Sequence, residues 1–77
     1  MKEIYEFQYM QIGLKIAYYR KLRGLTQEEL AERINKSPAF IGHIEAPNIN
    51  KAVSLDTLFD ISHELDIPAY KFLLFDE

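Results

Sequence analysis

The sequence has no cysteine among its 77 residues, which excludes a disulfide framework and a thiolate metal site. It also lacks an uncharged apolar run of about 18 residues, the length that a membrane-spanning helix needs. No Asn-Gly or Asp-Gly pair signals a β-hairpin, and no segment is repeated. The start of the chain is not that of a secretory signal. We therefore expect one small cytoplasmic domain, held together by apolar packing.

Charge is unevenly distributed along the chain. The net charge is −3, whereas a nucleic-acid-binding domain is commonly basic because phosphate contacts supply much of its affinity. Residues 15–51 nevertheless carry seven basic and four acidic side chains, and residues 52–77 carry one basic and six acidic ones. This asymmetry indicates either one anion-facing side and one acidic side, or an ordinary solvated surface.

Apolar residues recur at helical spacing and predict an all-α domain of five helices. The first helix is expected from near Gln8 to Arg23. The next four begin after or at typical start residues, namely Thr26, Ser37, Ser54 and Pro68. The first two helices end at residues that adopt left-handed backbone readily, Gly24 and Asn35. The predicted organisation is an N-terminal arm at residues 1–8, a compact domain at 9–75 and a C-terminal end at 76–77.

Helices two and three, joined by the turn 35–37, have the dimensions of a helix-turn-helix. At this point the chain resembles the lambda-repressor-like family of bacterial and phage DNA-binding domains, also called Cro/CI or Xre-type. The resemblance spans residues 9–75, with the motif at about 27–46. It is carried in order by Arg20, the segment GLTQEELA at 24–31, Ser37, Ile41, Ile44 and Glu45. It implies a compact fold whose third helix enters the major groove of double-stranded DNA.

The site residues follow from this resemblance together with helix geometry. Because Ile41 and Ile44 face the core, the expected base-facing residues are Pro38, Ala39, Phe40, Gly42 and His43. The expected phosphate contacts are Gln27, Lys36, Ser37, Asn48, Asn50 and Lys51, and Arg23 or Lys21 near the end of the first helix could add a further one. In the family the pair matching Arg20 and Glu45 is a structural ion pair. None of the base-facing residues is an Arg, Asn or Gln that reads a base bidentately, so we expect modest discrimination, partly through DNA shape.

The resulting hypothesis is a stand-alone, bacterial or phage-encoded, nucleoid-associated regulator that binds DNA as a homodimer and acts as a repressor. Phe72 and Phe75 could meet their copies across a two-fold axis, or the apolar arm could form the contact. The main rival is a protein-interaction module on the same scaffold, which binds through the arm or the acidic C-terminal half and has weak or lost DNA affinity. Two isolated histidines and the absence of a Gly-rich phosphate cradle predict neither enzyme activity, a metal nor a cofactor.

Overall fold

The computed structural model describes residues 2–49 and 51–75, and within those ranges it contains helices but no strand. The elements in chain order are a 3₁₀-helix at Glu3–Tyr5, α1 at Glu6–Leu22, α2 at Gln27–Arg33, α3 at Pro38–Glu45, α4 at Leu55–Leu65 and a second 3₁₀-helix at Ala69–Leu73. The predicted all-α class is confirmed. The expected end segment at 76–77 lies outside the described residues.

The predicted count of five helices is not confirmed as five α-helices, because the segment after Pro68 winds as a 3₁₀-helix. It contains five residues and has no side-chain cap. A piece this short gains few hydrogen bonds for the backbone order that it requires, and 3₁₀ turns are the usual form of such connectors. The domain is therefore built from four α-helices closed by a 3₁₀ turn.

The start of the chain extends the first helix. The first 3₁₀-helix leads directly into α1, which begins at Glu6 rather than near Gln8. The predicted division between residues 8 and 9 thus falls inside a helix. Ile4 is 73% exposed and Phe7 is 52% exposed, so the arm does not fold back over α1. No glycine or proline interrupts these residues, and continuing a helix adds one hydrogen bond per residue fixed.

The predicted starts of α2, α3 and α4 are confirmed by their capping contacts. The hydroxyl of Thr26 accepts from the Glu29 N–H, while the Glu29 carboxylate accepts from the Thr26 N–H, which completes a capping box. Ser37 accepts from the N–H of Phe40, and Pro38 is the first residue of α3. Ser54 caps α4 in the same way. Each cap uses a backbone donor that the helix leaves without a partner.

Three helices end in the same way, with one residue in the left-handed region. These residues are Gly24 (φ 73°), Asn35 (φ 58°) and Asp66 (φ 54°). The N–H of the residue that follows each of them donates back to a carbonyl in the last turn, as from Lys36 to Ala31 at 2.8 Å. This is the Schellman motif, which gives a hydrogen-bond donor to carbonyls that have no partner within the helix. The first two left-handed residues were predicted, and Asp66 was not.

The core lies where α1, α2, α3 and α4 meet the C-terminal 3₁₀-helix. Its fully buried large side chains are Ile16, Leu30, Ile41, Ile61, Leu65 and Phe72. The ring of Phe72 packs edge-on against Tyr19 with their centroids 5.4 Å apart. A side chain with 0% exposure has no surface to offer a second copy. The expectation that Phe72 contributes to a dimer is therefore wrong, because the monomer's own core uses it.

The backbones of α1 and α3 approach each other at Gly13. A Cβ atom on this residue would overlap the carbonyl oxygen of Ile44, near the end of α3. Only glycine leaves room for such an approach within a helix. The contact fixes the distance between α3 and the helix behind it.

Candidate nucleic-acid interface

The carboxylate of Glu45, the last residue of α3, accepts hydrogen bonds from side chains of α1 and α2. The Nε and Nη2 atoms of Arg20 donate to the two oxygens of Glu45 at 2.7 and 2.8 Å. The Nε2 atom of Gln27 donates to Oε1 of Glu45 at 3.0 Å. Arg20 also donates from Nη1 to the carbonyl of Leu25 at 2.8 Å. The structure thus brings together the two residues of the expected ion pair and adds Gln27 to them.

The Arg20–Glu45 pair is buried, with residue exposures of 7% and 8%. The side-chain hydrogen bonds to Glu45 raise the pKa of the Arg20 guanidinium; burial opposes this effect, and the charge of Glu45 adds to it. A bidentate pair of this kind has a fixed relative orientation. Its role here is to hold the end of α3 against α1, and its donors face inward rather than towards a ligand.

Gln27 is the first residue of α2 and was expected to contact a phosphate. In the structure one hydrogen of its side-chain nitrogen is committed to Glu45. Its oxygen lies beside α3, 3.6 Å from where a Cβ on Gly42 would be. An amide nitrogen carries two donors, so one remains for an external acceptor. The phosphate role of Gln27 stays a prediction, now with a defined geometry.

The outer face of α3 is open to solvent. Pro38, Ala39 and His43 are exposed, and Gly42 is half-buried. The other face holds Ile41 and Ile44, which are buried in the core as expected. Phe40 differs from the other expected base-facing residues, because it is half-buried and packs against the core. No described segment covers Ala39 or His43, so the exposed face is available to a ligand.

Two lysines meet at Phe40. The Nζ atom of Lys36, from the turn before α3, lies 5.4 Å from the ring centroid, and that of Lys51, from the loop after α3, lies 5.5 Å from it. Both distances are within the range of a cation–π interaction. Sequence reasoning named all three residues as expected DNA contacts but did not predict that the two lysines contact the ring. The spacing of four between Lys36 and Phe40 could have indicated the first contact, whereas the second depends on the path of the loop.

The remaining expected phosphate contacts divide into three cases. The hydroxyl of Ser37 is used as the α3 cap, accepting from the N–H of Phe40 at 3.1 Å. Asn48 is exposed in the loop after α3. Asn50 lies outside the described residues. Their contacts with phosphate stay predictions.

Arg23 was considered as a further phosphate contact, and the structure gives it another role. Its Nε atom donates to the carbonyl of Leu65 at 2.7 Å, and its Nη2 atom to that of Asp66 at 3.1 Å. A cation at this position satisfies carbonyls at the end of α4 and interacts favourably with the helix dipole. Arg23 therefore ties the end of α1 to the end of α4, a contact between residues more than 40 positions apart.

A groove of about 380 Å³ lies between the start of α1, the start of α4 and the C-terminal segment. Exposed apolar side chains on its walls include Tyr5, Leu55, Leu73 and Phe75. Phe75, unlike the buried Phe72, is therefore on the surface. The Oε1 atom of Gln8, also a lining residue, is buried without a hydrogen-bond partner in the described part of the chain.

Among residues 2–49 and 51–75, no group of three or more His, Cys, Asp or Glu side chains is placed to hold a metal ion. No helix there has the length and apolar character needed to cross a membrane.

The chain is similar to a known sequence family and to solved structures of one gene regulator. Residues 16–72 match a family model described as helix-turn-helix. Two crystal structures of the clp gene regulator ClgR from Corynebacterium glutamicum superpose with a TM-score of 0.79 at 27% identity. Both matches cover 86% of this chain, and they cover 68% and 82% of the ClgR chains. No curated protein sequence gives a match.

Proposed function

This chain belongs to the helix-turn-helix family, and on that premise we propose that it is a transcriptional regulator that binds double-stranded DNA through α3 and represses by occupying its site. The observation that carries the proposal is the exposed outer face of α3, held from behind by Glu45 and flanked by Lys36 and Lys51. The ClgR structures, which are those of a gene regulator, support a role in gene regulation.

In the proposed complex the start of α3 enters the major groove. Ala39, Gly42 and His43 face base edges, and Pro38 lies at the point of entry. His43 offers the one side chain among these that can hydrogen-bond to a base, so discrimination between sequences is modest. The second amide hydrogen of Gln27 and the lysines of the flanking turns take phosphates, aided by Ser37, Asn48 and Asn50. In this proposal, contacts with the phosphates of the DNA backbone supply most of the affinity.

Titration of a fluorescent random-sequence duplex at two salt concentrations tests this proposal. Neutralising Z phosphates gives a slope of about −0.9Z in log K against log salt. We expect a clear negative slope for the wild-type protein. Lys36→Gln lowers affinity for every duplex and reduces the slope by about 0.9.

His43→Ala is the matched control for that titration. It leaves binding to random duplex close to that of the wild type and lowers the preference for a selected site. Absence of binding to any duplex at low salt would contradict the proposed function.

We also propose that the regulator binds DNA as a homodimer and that the groove lined by Leu55 and Phe75 is its contact surface. The walls of the groove expose large apolar side chains that water does not solvate well. Phe75→Glu is expected to shift the sedimentation of the protein to that of a monomer. Tyr18→Glu, also at an exposed aromatic residue but not in the groove, leaves it unchanged. A wild-type protein that sediments as a monomer both free and on DNA would rule the dimer out.

The same groove favours one rival function, that of a protein-interaction module. Its apolar walls and the acidic residues of the C-terminal part would suit a partner with an apolar, basic segment. The random-duplex titration separates the two functions, because the rival predicts no salt-dependent binding to DNA.

A further inference from the structure

We propose that Phe40 is a positioning residue, which gathers Lys36 and Lys51 into one cationic pair at the start of α3, and that this pair takes adjacent phosphates of one DNA strand. The inference rests on the proposed function, because the anion is the backbone of the bound DNA. It assigns Phe40 a role different from base contact, and it makes the two lysines one unit rather than two separate contacts.

The geometry brings together residues from both sides of α3. Lys36 precedes the helix and Lys51 follows it, yet their Nζ atoms lie 5.4 and 5.5 Å from the same ring centroid. The two ammonium groups can therefore be no farther apart than about twice that distance. A lysine side chain has many rotamers and loses freedom when it is fixed in one place. The shared ring restricts both lysines before any ligand arrives.

The ring itself is well fixed. Phe40 is half-buried and packs against the core, and its N–H donates to the Ser37 hydroxyl at 3.1 Å. Its backbone belongs to α3, which Glu45 and Gly13 hold in place. The negative face of an aromatic ring attracts cations without neutralising them. Phe40 thus orients positive charge and leaves it free to act on a phosphate.

Within residues 2–49 and 51–75, neither lysine of the pair forms an ion pair with a carboxylate; the ion pair in this part of the chain joins Arg20 to Glu45. Two ammonium groups gathered at one ring repel each other, and anions bound to them offset that repulsion. Adjacent DNA phosphates supply such anions. The arrangement also explains how a chain with a net charge of −3 presents local positive charge beside α3.

The experiment is a double-mutant cycle between the ring and the lysines, read out on a random-sequence duplex at two salt concentrations. The variants are Phe40→Leu, Phe40→Tyr, the double variant Lys36→Gln/Lys51→Gln, and the triple variant that combines it with Phe40→Leu. Random duplex is chosen because backbone contacts dominate its binding. Thermal melts check that every variant is folded, and Phe40→Met is a second variant without a ring.

The expected results follow from the proposed coupling. The double lysine variant reduces the salt slope by about 0.9 for each phosphate lost. Phe40→Leu weakens binding by about two- to fivefold, the size of an exposed cation–π contribution, and reduces the slope in part. Phe40→Tyr keeps the ring and binds as the wild type does. When both lysines are already replaced, Phe40→Leu has no further effect.

Two results would overturn this inference alone. If Phe40→Leu weakens binding equally with and without the lysines, the ring contacts DNA directly. If it leaves affinity and slope unchanged, the ring does not position the lysines. A wild-type protein that fails to bind any duplex would instead overturn the proposed function and this inference with it.

Discussion

Arg20 is a cation in a protein whose proposed ligand is an anion, yet its donors face inward, to Glu45 and to the carbonyl of Leu25. Removing one partner of a buried pair leaves the other charge uncompensated. We therefore expect Arg20→Ala to lower the free energy of unfolding by about 3 to 5 kcal/mol. Urea denaturation followed by circular dichroism measures the change. The exposed neighbour Lys21 is the control, since Lys21→Ala should change stability by less than about 0.5 kcal/mol.

An Arg20→Ala protein that unfolds at the same urea concentration as the wild type would show that the pair does not stabilise α3. A second variant tests the geometry. Glu45→Gln keeps an acceptor for Arg20 and loses the carboxylate, so we expect a destabilisation in the same direction, because the guanidinium stays buried without its counter-charge.

Glu29 gives the fold a dependence on pH. The N–H of Thr26 and, next, its hydroxyl hydrogen-bond to the Glu29 carboxylate and hold its pKa below the ordinary 4.5. A carboxylate whose pKa is lower in the folded state stabilises the fold above the unfolded pKa, and that contribution is lost as the pH falls through the folded value. The advantage of the wild type over Glu29→Gln is therefore expected to be greatest at neutral pH and to shrink below about pH 4.5.

Thermal melts of the wild type and of Glu29→Gln at pH 7 and pH 3 measure this difference. Glu28→Gln removes a charge from the same turn without altering the capping box, and it serves as the matched control. A difference between wild type and Glu29→Gln that is the same at both pH values would contradict the assignment.

Residues whose role depends on near neighbours in the sequence could be predicted, and those that depend on distant contacts could not. Thr26, Ser37 and Gly24 act through backbone groups a few positions away. The contacts of Arg23 with the end of α4 and of Lys51 with Phe40 require the path of the whole chain. Sequence reasoning therefore placed Arg23 among the possible phosphate contacts.

At the scale of elements, the contact of α1 with α3 at Gly13 leaves no room for a side chain. Gly13→Ala would place a methyl group on the carbonyl oxygen of Ile44. Alanine favours a helix over glycine by about 0.5 to 1 kcal/mol. Forced overpacking costs about 1 to 3 kcal/mol or more, so the net expectation is destabilisation. Differential scanning calorimetry would measure a lower melting temperature.

Gly42→Ala is the matched control in α3. A Cβ there meets only the Gln27 side chain, at an ordinary 3.6 Å. We expect this variant to melt at the wild-type temperature or above it, because the helix gains without a clash. Equal melting of Gly13→Ala and the wild type would mean that the helices can separate without cost.

The elements themselves were largely predictable because apolar periodicity and capping residues agree along the chain. The boundaries of α2, α3 and α4 depend on such signals. The start of α1 was placed too late because no capping residue marks it; Tyr5 makes no side-chain cap. The final segment was expected as a short fifth helix, and its proline start and apolar residues do not distinguish an α-helix from a 3₁₀-helix.

At the scale of the whole molecule, the C-terminal 3₁₀-helix closes the core. Phe72→Ala removes a fully buried ring and is expected to lower the free energy of unfolding by about 3 to 5 kcal/mol. That is a large part of the total for a domain of this size. Phe75→Ala, three residues later and 41% exposed, should change it little. Equilibrium urea unfolding of both variants makes the comparison, and equal losses would contradict the separation of core and surface roles.

Sequence reasoning treated these two phenylalanines alike because the turn that separates their directions was not known. The same limit applies to the candidate interface. The outer face of α3 followed from the burial of Ile41 and Ile44, which periodicity predicts. The meeting of two lysines over one ring, and the use of Gln27 by Glu45, arise only when three elements pack together.

The backbone contact at Gly13 and the carboxylate of Glu45 both act on the rear of α3. The orientation of this helix is consequently set by atoms that lie opposite the proposed base-facing side chains. Exposed side chains such as Ala39 and His43 can then be substituted without changing the orientation of the helix. The fold therefore keeps the orientation of α3 independent of the side chains that this helix exposes to solvent.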